Sequence, residues 1–127
     1  MISGKKDRGR AESFQHAFMG IWSLLRDEPN ARIHLLASVL VLATGLWLGI
    51  GLTQWALIAF AVGLVWATEA ANTALEAIGD VASPDYHPLT GRAKDLSAAA
   101  VLISALTAAS VGVLVLGPPL WSRLFGP

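Results

Sequence analysis

The stretch EAANTALEAIGD, residues 69–80, follows the apolar run 55–67 with no turn residue between them. It therefore continues a hydrophobic helix into polar chemistry. At about 100° per residue, Glu69, Asn72, Glu76 and Asp80 fall at roughly 0°, −60°, −20° and +20°, a single narrow stripe. Three carboxylates and an amide share one face. Acids this close repel one another, and those nearest lipid are costly to ionise, so the arrangement points to a cation or a reaction that uses it. This stripe is the predicted active site.

Depth sharpens the reading. A helix entering a bilayer near Gln54 crosses a hydrocarbon layer of about 30 Å in roughly 20 residues and leaves it near Ala74. Glu69 and Asn72 then lie just inside the apolar layer, Glu76 at its edge and Asp80 among headgroups. Such a gradient suits a reaction between a lipid hydroxyl and a water-soluble reagent. The competing reading is a helical bundle whose polar groups only satisfy one another. Ionisable residues within a membrane span weigh against it.

Composition agrees with a membrane location. Of 127 residues, 54% are apolar and 14% charged, with a mean hydropathy of +0.57, well outside the usual soluble range. The length suits one domain. Nine basic and nine acidic side chains cancel, which leaves no net field to attract nucleic acid. With no cysteine there is neither a disulfide framework nor a thiolate metal site. The first long apolar run begins near Ile33 and is itself of spanning length, which argues against a secretory signal.

Taken in order, residues 1–10 are polar and patternless and read as a mobile tail. Over residues 11–27, Phe14, Ala17, Phe18, Ile21, Trp22 and Leu25 recur at helical spacing, opposite Ser13, Gln15, His16, Ser23 and Arg26. That pattern predicts an amphipathic helix, lying on the membrane surface or packed on partner helices. Pro29 breaks it and leaves Glu28 at a corner. Residues 31–51 are predicted as a first transmembrane helix, within which Gly45 and Gly49 form a small-xxx-small pair. A short uncharged turn forces the second helix, 54–81, to return antiparallel. Residues 82–90 hold two prolines and read as a loop. The third helix is predicted over 92–117, stopped by Gly117-Pro118-Pro119, with Trp121 as an interfacial anchor. The fold class is an all-α membrane protein with three spans and a surface helix.

Orientation follows from the basic residues. The N-terminal region shares one side with Arg26, Arg32, Arg92 and Lys94, whereas the other side has an uncharged turn and Arg123. By the positive-inside rule the N-terminus and the 80–94 loop are cytoplasmic. Gathered on that face are Glu28, Glu69, Asn72, Glu76, Asp80, Asp85, His87, Arg92, Lys94 and Asp95. Hard oxygen ligands favour Mg²⁺, which takes one or two carboxylates plus substrate phosphates, and Lys94 supplies a point charge for phosphate. A zinc site from His16, His34 and His87 is disfavoured by their scatter. The sequence contains no G-x-x-x-x-G-K-[ST] loop and no protein-kinase signature.

Glu69-x-x-Asn72-Thr73-Ala74-Leu75-Glu76-x-x-x-Asp80, then Tyr86-His87, then Ala93-Lys94-Asp95-x-x-x-Ala99-Ala100-Val101-Leu102, closely resembles the small prokaryotic diacylglycerol kinase and undecaprenol kinase family. The resemblance spans roughly residues 14–112. It implies a homotrimer in the bacterial inner membrane that transfers the γ-phosphate of MgATP to a lipid alcohol, at active sites shared between subunits. Carried over by position, Glu69 is the general base, Glu28 and Glu76 the metal ligands, and Asn72 and Asp80 supporting residues. Glu28, Glu76, Asp85, Tyr86, His87, Lys94 and Asp95 match nucleotide-holding positions, with His16 and a tail arginine, Arg8 or Arg10. Glu69 and Ala98 match lipid-binding positions. Asp85 stands where some members carry Glu, and His16 where an aromatic contact to the nucleotide occurs. Residues 28–34 resemble the undecaprenol branch, whereas residues 91–95 lean toward the diacylglycerol branch.

A desolvated carboxylate just inside the membrane suits proton transfer, which agrees with the implied role of Glu69. An alternative from another class is a small cation-conducting or proton-handling oligomer. Placement argues against it. The acids all lie at one end, and the first and third helices carry no polar stripe through the apolar layer.

Overall fold

The computed structural model describes residues 9–126, and the predicted mobile tail lies mostly outside them. Four helices follow in order: α1 Arg10–Asp27, α2 Pro29–Leu48, α3 Leu52–Ala82 and α4 Pro88–Phe125. The last three are long and apolar enough to cross a membrane. The architecture is all-α, as expected. Arg10, assigned to the tail, is instead the first residue of α1.

Proline starts two of these helices. Pro29 and Pro88 each occupy the first turn, where the missing N–H costs nothing and the fixed φ already suits a helix. At Pro88 the preceding His87 caps the end, its Nδ1 accepting from the Leu89 amide at 3.2 Å. The expected loop over 82–90 therefore shrinks to the few residues between α3 and α4, and α4 begins four residues before the predicted 92.

The corner between α1 and α2 is held by charge. Arg32 Nε donates to the Leu25 carbonyl at 3.1 Å and its Nη2 to the Arg26 carbonyl, so one guanidinium closes the C-terminal end of α1. Arg26 in turn forks onto Asp27 at 2.8 and 3.0 Å. That hydrogen bonding holds the Asp27 carboxyl below its usual range. Leu24 and Ala31 are buried at this corner, while Phe14, Phe18 and Trp22 stay exposed in the single chain.

At the other end the turn is tight. Gly49 takes φ 67, the left-handed conformation that ends α2, and the amides of Gly49 and Ile50 return to the Gly45 carbonyl. Gly51 then opens α3, its amide donating to Gln54 Oε1 at 2.7 Å. Near this turn lies the core: Ile58 of α3 against Val115 and Leu116 of α4, with Val41, Leu48, Trp55 and Val62 around them. The largest helix interface is that of α3 with α4.

The predicted stop at Gly117-Pro118-Pro119 is wrong. Pro118 and Pro119 lie inside α4, which runs on to Phe125. Two prolines remove two amide donors, yet within a span neighbouring groups and small local adjustments tolerate the loss. Aromatic contacts hold the final turns: Trp121 meets Phe125 with ring centroids 4.6 Å apart, and Arg123 lies 5.4 Å over the Trp47 ring of α2. Trp121 thus makes a packing contact within its own helix.

Of the glycine pair, Gly49 marks the exit of α2 and Gly45 is the close approach. A Cβ built on buried Gly45 would stand 2.8 Å from the Trp55 ring and 3.1 Å from Ile50. Gly45→Ala is therefore expected to destabilise the fold by about 1–3 kcal/mol through overpacking, measured as a lower unfolding midpoint in detergent.

Candidate active site

The stripe on α3 emerges as a gradient of burial. Glu69 is 1% exposed, Asn72 and Glu76 are half-buried, and Asp80 stands out of the surface. Each step has its own surroundings. Asn72 Oδ1 accepts from Ser97 Oγ of α4 at 2.7 Å, and Asp80 pairs with Lys94, also of α4. Glu69 faces α2, where its Oε2 lies 3.5 Å from His34 Nε2.

Gly79 explains how Lys94 reaches Asp80. The glycine is buried, and a Cβ on it would stand 3.0 Å from Lys94 Cε and 3.3 Å from Thr90 Cγ2. The bare backbone of α3 thus lets the lysine stem lie across it and present its ammonium beside the carboxylate.

The other expected residues are spread over the surface. Glu28 is half-buried at the α1–α2 corner, whereas Arg10, Asp95 and Ala98 are exposed. His16 is exposed and lies 3.7 Å from Glu12 of its own helix. In the α3–α4 connection, the Asp85 carbonyl accepts from Ser83 Oγ at 2.7 Å, Tyr86 is 88% exposed, and His87 serves as the cap of α4. Among the described residues, Arg10, His16, Asp85, Tyr86 and Asp95 form no hydrogen bond or ion pair with one another. No group of three or more His, Asp or Glu side chains suited to a metal ion is assembled among the described residues, and this covers His16, His34 and His87. Arg8 lies outside the described residues.

Two features escape the sequence reading. Scattered spacing offers His34 only as a poor zinc ligand, although an ionisable side chain at the head of an apolar span carries its own signal. Ser97 blends into a run of small packing residues, although it supplies the donor to Asn72. Beside His34 an apolar cavity of about 570 Å³ opens between α2, α3 and α4, lined by Ser38, Val41, Val65, Ala108 and Leu116 among others. Aliphatic walls of this kind accept hydrocarbon.

With this geometry in hand, the comparisons with known proteins are specific. Residues 15–116 match the family model for prokaryotic diacylglycerol kinase. The chain is 35% identical to an undecaprenol kinase of Bacillus subtilis, over 86% of this chain and 89% of that protein. It is 37% identical to a diacylglycerol kinase of Synechocystis, over 88% of this chain and 65% of that protein. A diacylglycerol kinase of Escherichia coli is 32% identical over 85% of each chain.

Removing the Ser97 hydroxyl leaves the Asn72 carbonyl without its donor. Ser97→Ala is expected to cost about 1 kcal/mol of stability, read from denaturant unfolding in detergent, and a variant as stable as the parent would show that water replaces the bond.

Proposed function

This chain belongs to the prokaryotic diacylglycerol kinase family, and from that premise we propose that it carries the γ-phosphate of ATP to the hydroxyl of a membrane lipid alcohol. It is a lipid kinase. The lipid is diacylglycerol, giving phosphatidic acid, or undecaprenol, giving undecaprenyl phosphate. The observation that carries the reading is the burial gradient along α3, from Glu69 in the interior to exposed Asp80, which pairs with Lys94 of α4.

Glu69 is the base. It takes the proton as the lipid O–H bond breaks, the freed oxygen attacks the γ-phosphorus, and the bond to the departing ADP breaks in line. Lys94, beside the exit of the stripe, draws the phosphates toward Glu69. Asn72, held by Ser97, and Asp80, held by Lys94, keep the polar end of α3 in place. Arg10, His16, Asp85, Tyr86, His87 and Asp95 hold the nucleotide. Ala98 faces the lipid, and the cavity beside His34 gives room for its hydrocarbon.

Glu28 and Glu76 are the metal ligands, and both also face the nucleotide. They are half-buried oxygen donors, and two carboxylates suffice for Mg²⁺ when phosphates and waters complete its shell. When bound, Mg²⁺ supplies neutralisation of charge on the transferring phosphoryl group. The nucleotide-holding residues are scattered over one chain, which fits sites completed by a neighbouring subunit, as in the homotrimer that the family resemblance implies. The protein resides in the bacterial inner membrane with α1 on the cytoplasmic surface, where Lys and Arg accumulate and ATP is available.

Purified protein in mild detergent, given radiolabelled ATP, Mg²⁺ and either lipid, is expected to label one of them, and the preferred lipid identifies the substrate. Label on neither lipid would sink the reading. Glu69→Gln is expected to lower kcat by about 10²–10⁴-fold while nucleotide binding, followed by titration calorimetry, persists.

A further inference from the structure

Two polar links join α2 to α3 on neighbouring turns. Trp66 Nε1 donates to Ser38 Oγ at 3.2 Å, and Ser38 Oγ donates to the backbone carbonyl of His34 at 2.7 Å. Three residues further along α3, Glu69 meets the His34 ring itself at 3.5 Å. Glu69 Oε2 is fully buried and has no hydrogen-bond partner among the described residues. A carboxylate oxygen offers only lone pairs, so what it lacks is a donor. His34 carries the basic side chain within ion-pair range of it. Arg32, two residues earlier, spends its guanidinium on the carbonyls of Leu25 and Arg26.

We propose that His34 is the positioning residue for Glu69, its Nε2–H donating to Oε2 so that the other carboxylate oxygen is turned toward the lipid hydroxyl. This rests on reading Glu69 as the base. The ring is well placed for it: 19% of the His34 side chain is exposed against 2% for Glu69, and His34 forms part of the wall of the apolar cavity. The imidazole therefore borders both the apolar cavity and the buried acid. At 3.5 Å the contact is at the outer limit of hydrogen bonding, and such bonds tighten when substrate closes the site. The Trp66–Ser38 link holds α2 against α3 one turn from His34, which keeps the His34 backbone within reach of Glu69.

Kinetics on four variants in detergent, with both lipids supplied, tests this. His34→Leu keeps bulk but has no donor, and kcat is expected to fall about tenfold to hundredfold with KM for ATP unchanged. His34→Gln, whose amide N–H reaches close to the position of Nε2, is expected to recover most of that rate. His34→Asn is one bond too short and stays slow. The two amides are alike in polarity, so their comparison holds even if the leucine variant does not fold. Equal rates for His34→Gln and His34→Asn, or a wild-type kcat in His34→Leu, would overturn the proposal. Glu69→Gln separates the two readings: if it is inactive while His34→Leu is normal, only the positioning role fails, whereas an active Glu69→Gln removes the base itself.

Discussion

A carboxylate 1% exposed between apolar helices is the constraint on which this structure turns. Taking such a group out of water costs several kcal/mol unless hydrogen bonds or charge compensate. The chain does not place Glu69 among aliphatic side chains alone. It brings α2 close enough for His34 to face it, and it ties the same two helices together at Ser38 and Trp66. The polar links lie toward one end of the bundle, and the buried aliphatic cluster of Ile58, Val115 and Leu116 toward the other. Packing sets the bundle near the turn, and polar complementarity sets it near the acid.

The interface of α3 with α4 shows how small residues serve chemistry as well as packing. Gly79 lets the lysine stem cross α3, and Ser97 approaches closely enough to donate to Asn72. In an apolar solvent helices gain little from burying hydrocarbon against hydrocarbon, so close approach and hydrogen bonding must carry more of the specificity. The same two contacts tie Asn72 and Asp80 to α4, while Glu69 faces α2.

Much of this is legible in the letters because helical periodicity is local. Residues 69–80 announce one polar face on arithmetic alone, and the apolar runs announce the spans. What is illegible depends on contacts distant in sequence or on the context of proline. Pro29 and Pro88 act as helix starts, a role that a reading of proline as breaker and loop former obscures at Pro88. Pro118 and Pro119 sit within a helix that runs on to Phe125, and Arg123 over Trp47 and Trp121 against Phe125 pack the turns beyond them. No spacing rule links His34 with Glu69. Their meeting follows from the tight turn at Gly49, which sets the register of α2 against α3.

That turn has a further effect through helix length. α2 has 20 residues and α3 has 31, and the two are pinned together at the turn. At about 1.5 Å per residue, α3 outruns its neighbour by roughly 16 Å. Glu69 falls near the last level at which α2 still stands alongside, and Asp80 falls at the tip of the overhang. The helix is thus a ruler as well as a wall: its unequal reach holds the innermost acid level with α2 and the outermost one a fixed span beyond it.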